Sequence, residues 1–98
     1  MRRRKAQRIV PGHEPVLAAG VRGYKLWSRG ELYVPLIIAD RPGNGDVGRF
    51  LDALPKDRVV KVPTVTSARL AGMLARRGFA EAAEMTPMGV CELWIRSP

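Results

Sequence analysis

The 98-residue chain has one cysteine, Cys91, and one histidine, His13. A single thiol closes no internal disulfide, and one Cys with one His supplies no ligand set for a structural zinc site. With no disulfide framework, a reducing, cytoplasmic setting is the expected one. Aromatic residues number six, a thin supply for the stacking platforms that bind single-stranded nucleic acid. No apolar run approaches the ~20 residues of a membrane-spanning helix, so no membrane partner is expected. The basic N-terminus is not followed by the ~7–15 apolar residues of a secretory signal, because Pro11, Gly12, His13, Glu14 and Pro15 interrupt it. Internal repeats are absent too.

Acidic residues are scarce: 9 Asp and Glu against 17 Lys and Arg, a net charge of +8. The excess is concentrated. Arg2, Arg3, Arg4, Lys5 and Arg8 carry +5 with no acid among the first eight residues, and the other ninety carry 12 bases and 9 acids. Such a tail can contact a nucleic-acid backbone without reading sequence. A solvated basic tail with no ligand is the plainer alternative.

What is present is ordinary globular composition, 46% hydrophobic and 27% charged. At this length it suits one domain with one core. Residues 1–15 read as a basic flexible tail and a turn-rich lead-in, and residues 16–98 as a single α/β domain. Val16–Ala19 and Tyr24–Ser28 are short β-like runs, and Arg29-Gly30 reads as a hairpin turn. Glu31–Ala39 is the strongest strand. Its centre, Val34 to Ala39, is apolar on both alternations, as in a strand covered on both faces. Pro35 cannot donate to a ladder, so a bulge or an unpaired side is expected there.

Asp40 to Gly45 is a loop. Val47, Phe50, Leu51 and Leu54 then fall at i, i+3, i+4, i+7, which predicts a helix from Asp46 to Leu54, capped by Asp46 and stopped by Pro55. Val59–Val62 is a further strand closed by Pro63. Ser67–Arg77 is the clearest helix, with Thr66 or Ser67 as cap, Leu70, Met73 and Leu74 on one face, and Gly78 ending it. Phe79 is expected to pack back on it. Val90–Arg96 closes the domain as a strand with Cys91, Leu93 and Ile95 on one face. Strands alternating with helices imply a sheet with parallel pairing, and the leading hairpins add antiparallel strands.

That order resembles the C-terminal half of the GNAT N-acetyltransferase superfamily over residues 31–96. The correspondence runs through the bulged strand Glu31–Ala39, the loop Arg41-Pro-Gly-Asn-Gly-Asp-Val-Gly48, the strand Val59–Val65, and the helix Ser67–Arg77 ending in Gly78-Phe79. The resemblance implies a mixed sheet of antiparallel hairpins followed by βαβαβ, a splayed cleft between two strands, and a closing hairpin, truncated at the N-terminal side. It implies acetyl-CoA or another acyl-CoA as cofactor, no metal, and an amine as acceptor. Leu36, Ile37, Ile38 and Ala39 would hold the pantetheine arm. Arg41, Gly43, Asn44, Gly45, Val47, Gly48 and Arg49 would hold the pyrophosphate. Glu31 is the candidate general base, working through water.

The chain departs from the family pattern in the loop, where Asn44 or Gly43 as well as Asp46 stand out of register, and in the helix. Asp46 brings a carboxylate into the phosphate loop, Ser67 stands where an asparagine is common, and Leu74 replaces the tyrosine that serves as general acid. The alternatives are a GNAT-like binding or structural protein without catalysis and a nucleic-acid-associated protein acting through its tail. A plain turn and cap is the other reading of the loop. Arg69, Arg76 and Arg77 share a helix face that either meets phosphate or is simply solvated. Self-association is expected of so small a domain, whose exposed side needs covering.

Overall fold

The computed structural model describes residues 13–98. They form a mixed α/β structure of six strands and two helices: β1 (His13–Pro15), β2 (Val21–Ser28), β3 (Glu31–Ala39), α1 (Asp46–Asp52), β4 (Val60–Pro63), α2 (Ala68–Ala75), β5 (Ala80–Thr86) and β6 (Gly89–Arg96). The sheet runs β1-β2-β3-β4-β6-β5. β3 and β4 are parallel, and every other neighbouring pair is antiparallel. The predicted mixed α/β class is therefore present, with one parallel pair at its centre.

Local chemistry explains the joints. Arg29 and Gly30 both take positive φ, 54° and 79°, the paired requirement of the tight hairpin turn that matches strand twist. At Pro35 the expected bulge is present: Lys25 of β2 alone faces Val34 and Pro35 of β3, and the missing N–H falls where the ladder is interrupted. Ser67 caps α2, its Oγ accepting from the Leu70 amide at 3.1 Å. The other end of α2 closes with Phe79 N–H donating to Leu74 and Gly78 N–H to Ala75. This pairing satisfies the last carbonyls and turns Phe79 inward, as expected.

Both helices lie on one face of the sheet. Leu32, Val34, Val60 and Val62 meet Leu51 within α1, Leu54 just after it, Leu74 of α2, and Phe79. Ile37 joins the same core although Leu32 and Val34 have the opposite parity, because the bulge shifts the alternation by one residue.

The sequence reading needs correction at four places. β3 is not covered on both faces: Leu36 and Ile38 are 40% and 38% exposed, since the bulge turns them away from the helices. Val16–Ala19 forms no strand, only a single bridge from Ala18 to Val21, while the first strand lies earlier, at His13–Pro15. α1 stops at Asp52, two residues before Leu54, and α2 is shorter at both ends than the periodicity suggests. Ala80–Thr86 is a full strand although Ala and Glu are poor strand formers; seven registered pairs with β6 outweigh that preference. No helix among the described residues is long and apolar enough to cross a membrane.

Candidate functional site

The parallel pair is short. β3 and β4 are registered only at Leu32–Val60 and Tyr33–Lys61, and β3 continues alone on that side to Ala39. β4 ends at Pro63, and Thr64 turns the chain away with φ 57°, a strained value for a β-branched residue. Between the end of β3, the following loop and α2 lies a cleft. Ile37, Ala39, Val47, Leu70 and Met73 give it apolar walls, and Arg41, Gly43, Gly45, Ser67 and Arg69 also line it.

Of the residues expected to hold a cofactor, Ile37, Ala39, Arg41, Gly43, Gly45 and Val47 come together here. Leu36 and Ile38 point to the other face, and Asn44, Gly48 and Arg49 are not part of the cleft wall. α2 supplies Leu70 and Met73, which periodicity marks only as core, and Arg69, which lies on the helix face read as either meeting phosphate or solvated. The sequence signal for them is their place on the cleft-facing turn just after the Ser67 cap. The basic residues Arg2, Arg3, Arg4, Lys5 and Arg8 lie outside the described residues.

Asp46 also lines the cleft, but little of its side chain is exposed. Its carboxylate is buried, accepts from Asn44 Nδ2 at 2.9 Å and pairs with Arg49. It packs against Gly20, where an added Cβ would lie 2.1 Å from Oδ2. The Asn44 hydrogen bond, then Arg49 and Arg41, hold its pKa below the ordinary carboxylate value despite burial. Asp46 is thus an anchor joining the loop to the turn before β2. Among the described residues neither Arg41 nor Arg69 makes an ion pair, although Arg41 is near enough to Asp46 to help lower its pKa.

Gly48 is buried for packing. A Cβ there would stand 3.0 Å from Arg77 Nη2 and 3.6 Å from Met73 Cε, so the glycine lets α1 and α2 close on one another. Arg77 bridges them, its Nε donating to Asp52 at 2.8 Å.

Glu31 belongs to a separate cluster on the helix-free face. Lys61 Nζ is 2.8 Å from Glu31, pairs with Glu84, and lies 3.2 Å from the Tyr33 hydroxyl. Burial pushes the Lys61 pKa down, but hydrogen bonds to Glu31, Glu84 and Tyr33 outweigh it and hold the ammonium above its ordinary range. Glu31 therefore stands at the opposite end of β3 from Ile37 and Ala39, engaged by a cation. Cys91 is half-buried on the face it shares with Leu93. Trp94 packs on the core and Trp27 is 44% exposed. His13 is the first residue of β1 rather than part of a loop. Among the described residues no three His, Cys, Asp or Glu side chains gather as a metal site.

Compared with known proteins, the chain matches no family model, no curated protein and no solved structure.

Proposed function

We propose that this chain binds an acyl-CoA in the manner of the GNAT superfamily and serves transfer of the acyl group to an amine, with coenzyme A released as the thiol. The parting of β3 from β4 carries the reading. Beyond Tyr33 the β4-side edge of β3 has no strand partner among the described residues, yet it borders an apolar cleft. Strand amides and carbonyls left open in a cleft can take up an extended, amide-bearing chain by strand addition. A pantetheine arm is such a chain. Arg41 and Arg69 at the same cleft suit the phosphates at its far end, since guanidinium groups pair with phosphate oxygens in a fixed fork.

The residues fit the group. The backbone from Leu36 to Ala39 would hold the arm, Ile37, Val47, Leu70 and Met73 would exclude water around it, and Arg41 and Arg69 would hold its anionic end. Bound acyl-CoA supplies an activated thioester carbonyl. The chain's own contribution is positioning, which by itself can supply much of a rate enhancement. The bulge at Pro35, the Gly78-Phe79 helix end and the closing β5–β6 hairpin add further support, since each is a feature the resemblance implies.

A second reading, binding without transfer, is favoured by Leu74. The residue at the family's tyrosine position is fully buried in the core and offers no proton.

Calorimetric titration with acetyl-CoA, followed by an assay of thiol release with a panel of primary amines, tests both. Saturable binding with amine-dependent thiol release is expected. Binding without release under any amine supports the second reading. No heat and no thermal shift at millimolar acetyl-CoA would overturn both.

A further inference from the structure

β5 ends the sheet, and nothing among the described residues pairs with its outer edge. Unpaired N–H and C=O groups on an edge are a template for another chain, and soluble proteins guard them with Lys, Pro, bulges or brevity. The opposite edge follows that rule: β1 is three residues long and ends in Pro15. β5 does not. It runs seven residues with no Pro, no Lys and no register shift against β6, and five of the seven are exposed. Beside its end, Met85, Met88 and Val90 are 79%, 96% and 66% exposed and form an apolar tip.

We propose that two copies of this chain associate through β5, edge to edge and antiparallel, about a two-fold axis at Ala83. The strand's own sequence selects that register. A two-fold axis perpendicular to the sheet keeps each face on its own side. Residues opposite one another must then share a face, so the axis passes through a residue rather than between two. An axis at Glu81 or Glu84 sets identical carboxylates against each other, which is unfavourable. An axis at Ala82 pairs only Ala80 to Glu84, and one at Ala80, Met85 or Thr86 pairs still less. An axis at Ala83 pairs the whole strand: Ala80 with Thr86, Glu81 with Met85, and Ala82 with Glu84 of the second copy. Each glutamate then faces an apolar side chain, and Glu84 is already neutralised by Lys61 of its own chain. The contact is isologous and uses the β5 edge of both copies, so the association closes at two copies.

Sedimentation velocity and site-directed disulfide formation on the full chain test this. The wild type is expected to sediment at twice its 10.8 kDa chain mass. In a Cys91→Ser background, Ala83→Cys places two thiols on the axis with Cα atoms about 4.5–5.5 Å apart, within disulfide reach, so oxidation yields a covalent dimer. Glu81→Cys separates its two thiols by four residues of rise, roughly 13 Å, and yields none. A wild type that is monomeric at several hundred micromolar, or a dimer that Ala83→Cys fails to lock, overturns the proposal.

Discussion

A β-carbon on Gly20 would stand 2.1 Å from Oδ2 of Asp46, so the turn before β2 and the first residue of α1 are in direct contact. Gly20 also holds φ 76°, a conformation that costs other residues roughly 1–2 kcal/mol. Gly20→Ala is expected to destabilise by about 2 kcal/mol or more in urea unfolding, because it adds displacement of Asp46 to the backbone cost. Adding Asp46→Ala should return part of that loss, and strictly additive effects would refute the contact. The pH dependence follows the same residue. Its folded pKa lies below the unfolded one, so its contribution is present above about pH 3.9 and is lost as pH falls through the folded value. Asp46→Asn should flatten that acid limb.

Gly48 and Arg77 are coupled. Alanine in a helix is better than glycine by about 1 kcal/mol, but a Cβ at residue 48 must displace the Arg77 guanidinium. Gly48→Ala should therefore be near neutral in the wild type and stabilising by about 1 kcal/mol in an Arg77→Ala background. A double-mutant cycle measures the difference. Equal effects in both backgrounds would show that packing against Arg77 is not the reason for the glycine.

Lys61 ties three strands through Glu31 of β3 and Glu84 of β5. Lys61→Met should cost about 1–3 kcal/mol, less than the ~3–5 of a broken fully buried pair, because the two carboxylates keep 34% and 32% exposure and can rehydrate. The folded ammonium titrates above its unfolded value, so this stabilisation is complete below about pH 10.4 and is lost as pH rises through the folded value. Denaturant titrations from pH 8 upward should show that loss in the wild type and not in Lys61→Met. Glu31→Gln separates the two roles open to Glu31. As an anchor it lowers stability and leaves acetyl-CoA affinity unchanged. A fall in thiol release at full folding would instead mark it as the base.

Arg41 and Arg69 both reach the cleft, from the loop and from α2. Exposed charge contacts contribute up to about 1 kcal/mol each. Arg41→Glu and Arg69→Glu should each weaken acetyl-CoA binding roughly fivefold or more, and the wild-type affinity should fall with salt. Unchanged affinity in both variants would remove the cationic rim from the proposed site.

Much of the fold was legible in local chemistry. Arg29-Gly30, Pro35, Ser67 and Gly78-Phe79 each announce a joint, because turns, bulges and caps depend on residues adjacent in sequence. The cleft was legible by half. Ile37, Ala39, Arg41, Gly43, Gly45 and Val47 lie together on one stretch of chain, whereas Leu70 and Met73 look like core until the parting of β3 and β4 leaves them facing a gap. Asp46 and Gly48 were misleading for the same reason. A carboxylate and a glycine at a helix start suggest anion chemistry, but Gly20 and Arg77, distant in sequence, turn them into packing contacts.

By itself, the sequence determined β2, β3, α1, β4, α2 and β6 to within a few residues, and excluded an internal disulfide. These are properties of neighbouring residues and of composition. Only the tertiary structure decided that Ala80–Thr86 is a strand, that Glu31 is held by Lys61, and that Leu36 and Ile38 face away from the core. The first depends on pairing with β6, the second on a partner thirty residues away, and the third on a bulge that reverses which alternation is inside. The few aromatics and the single cysteine left packing, rather than cross-links, to make those decisions.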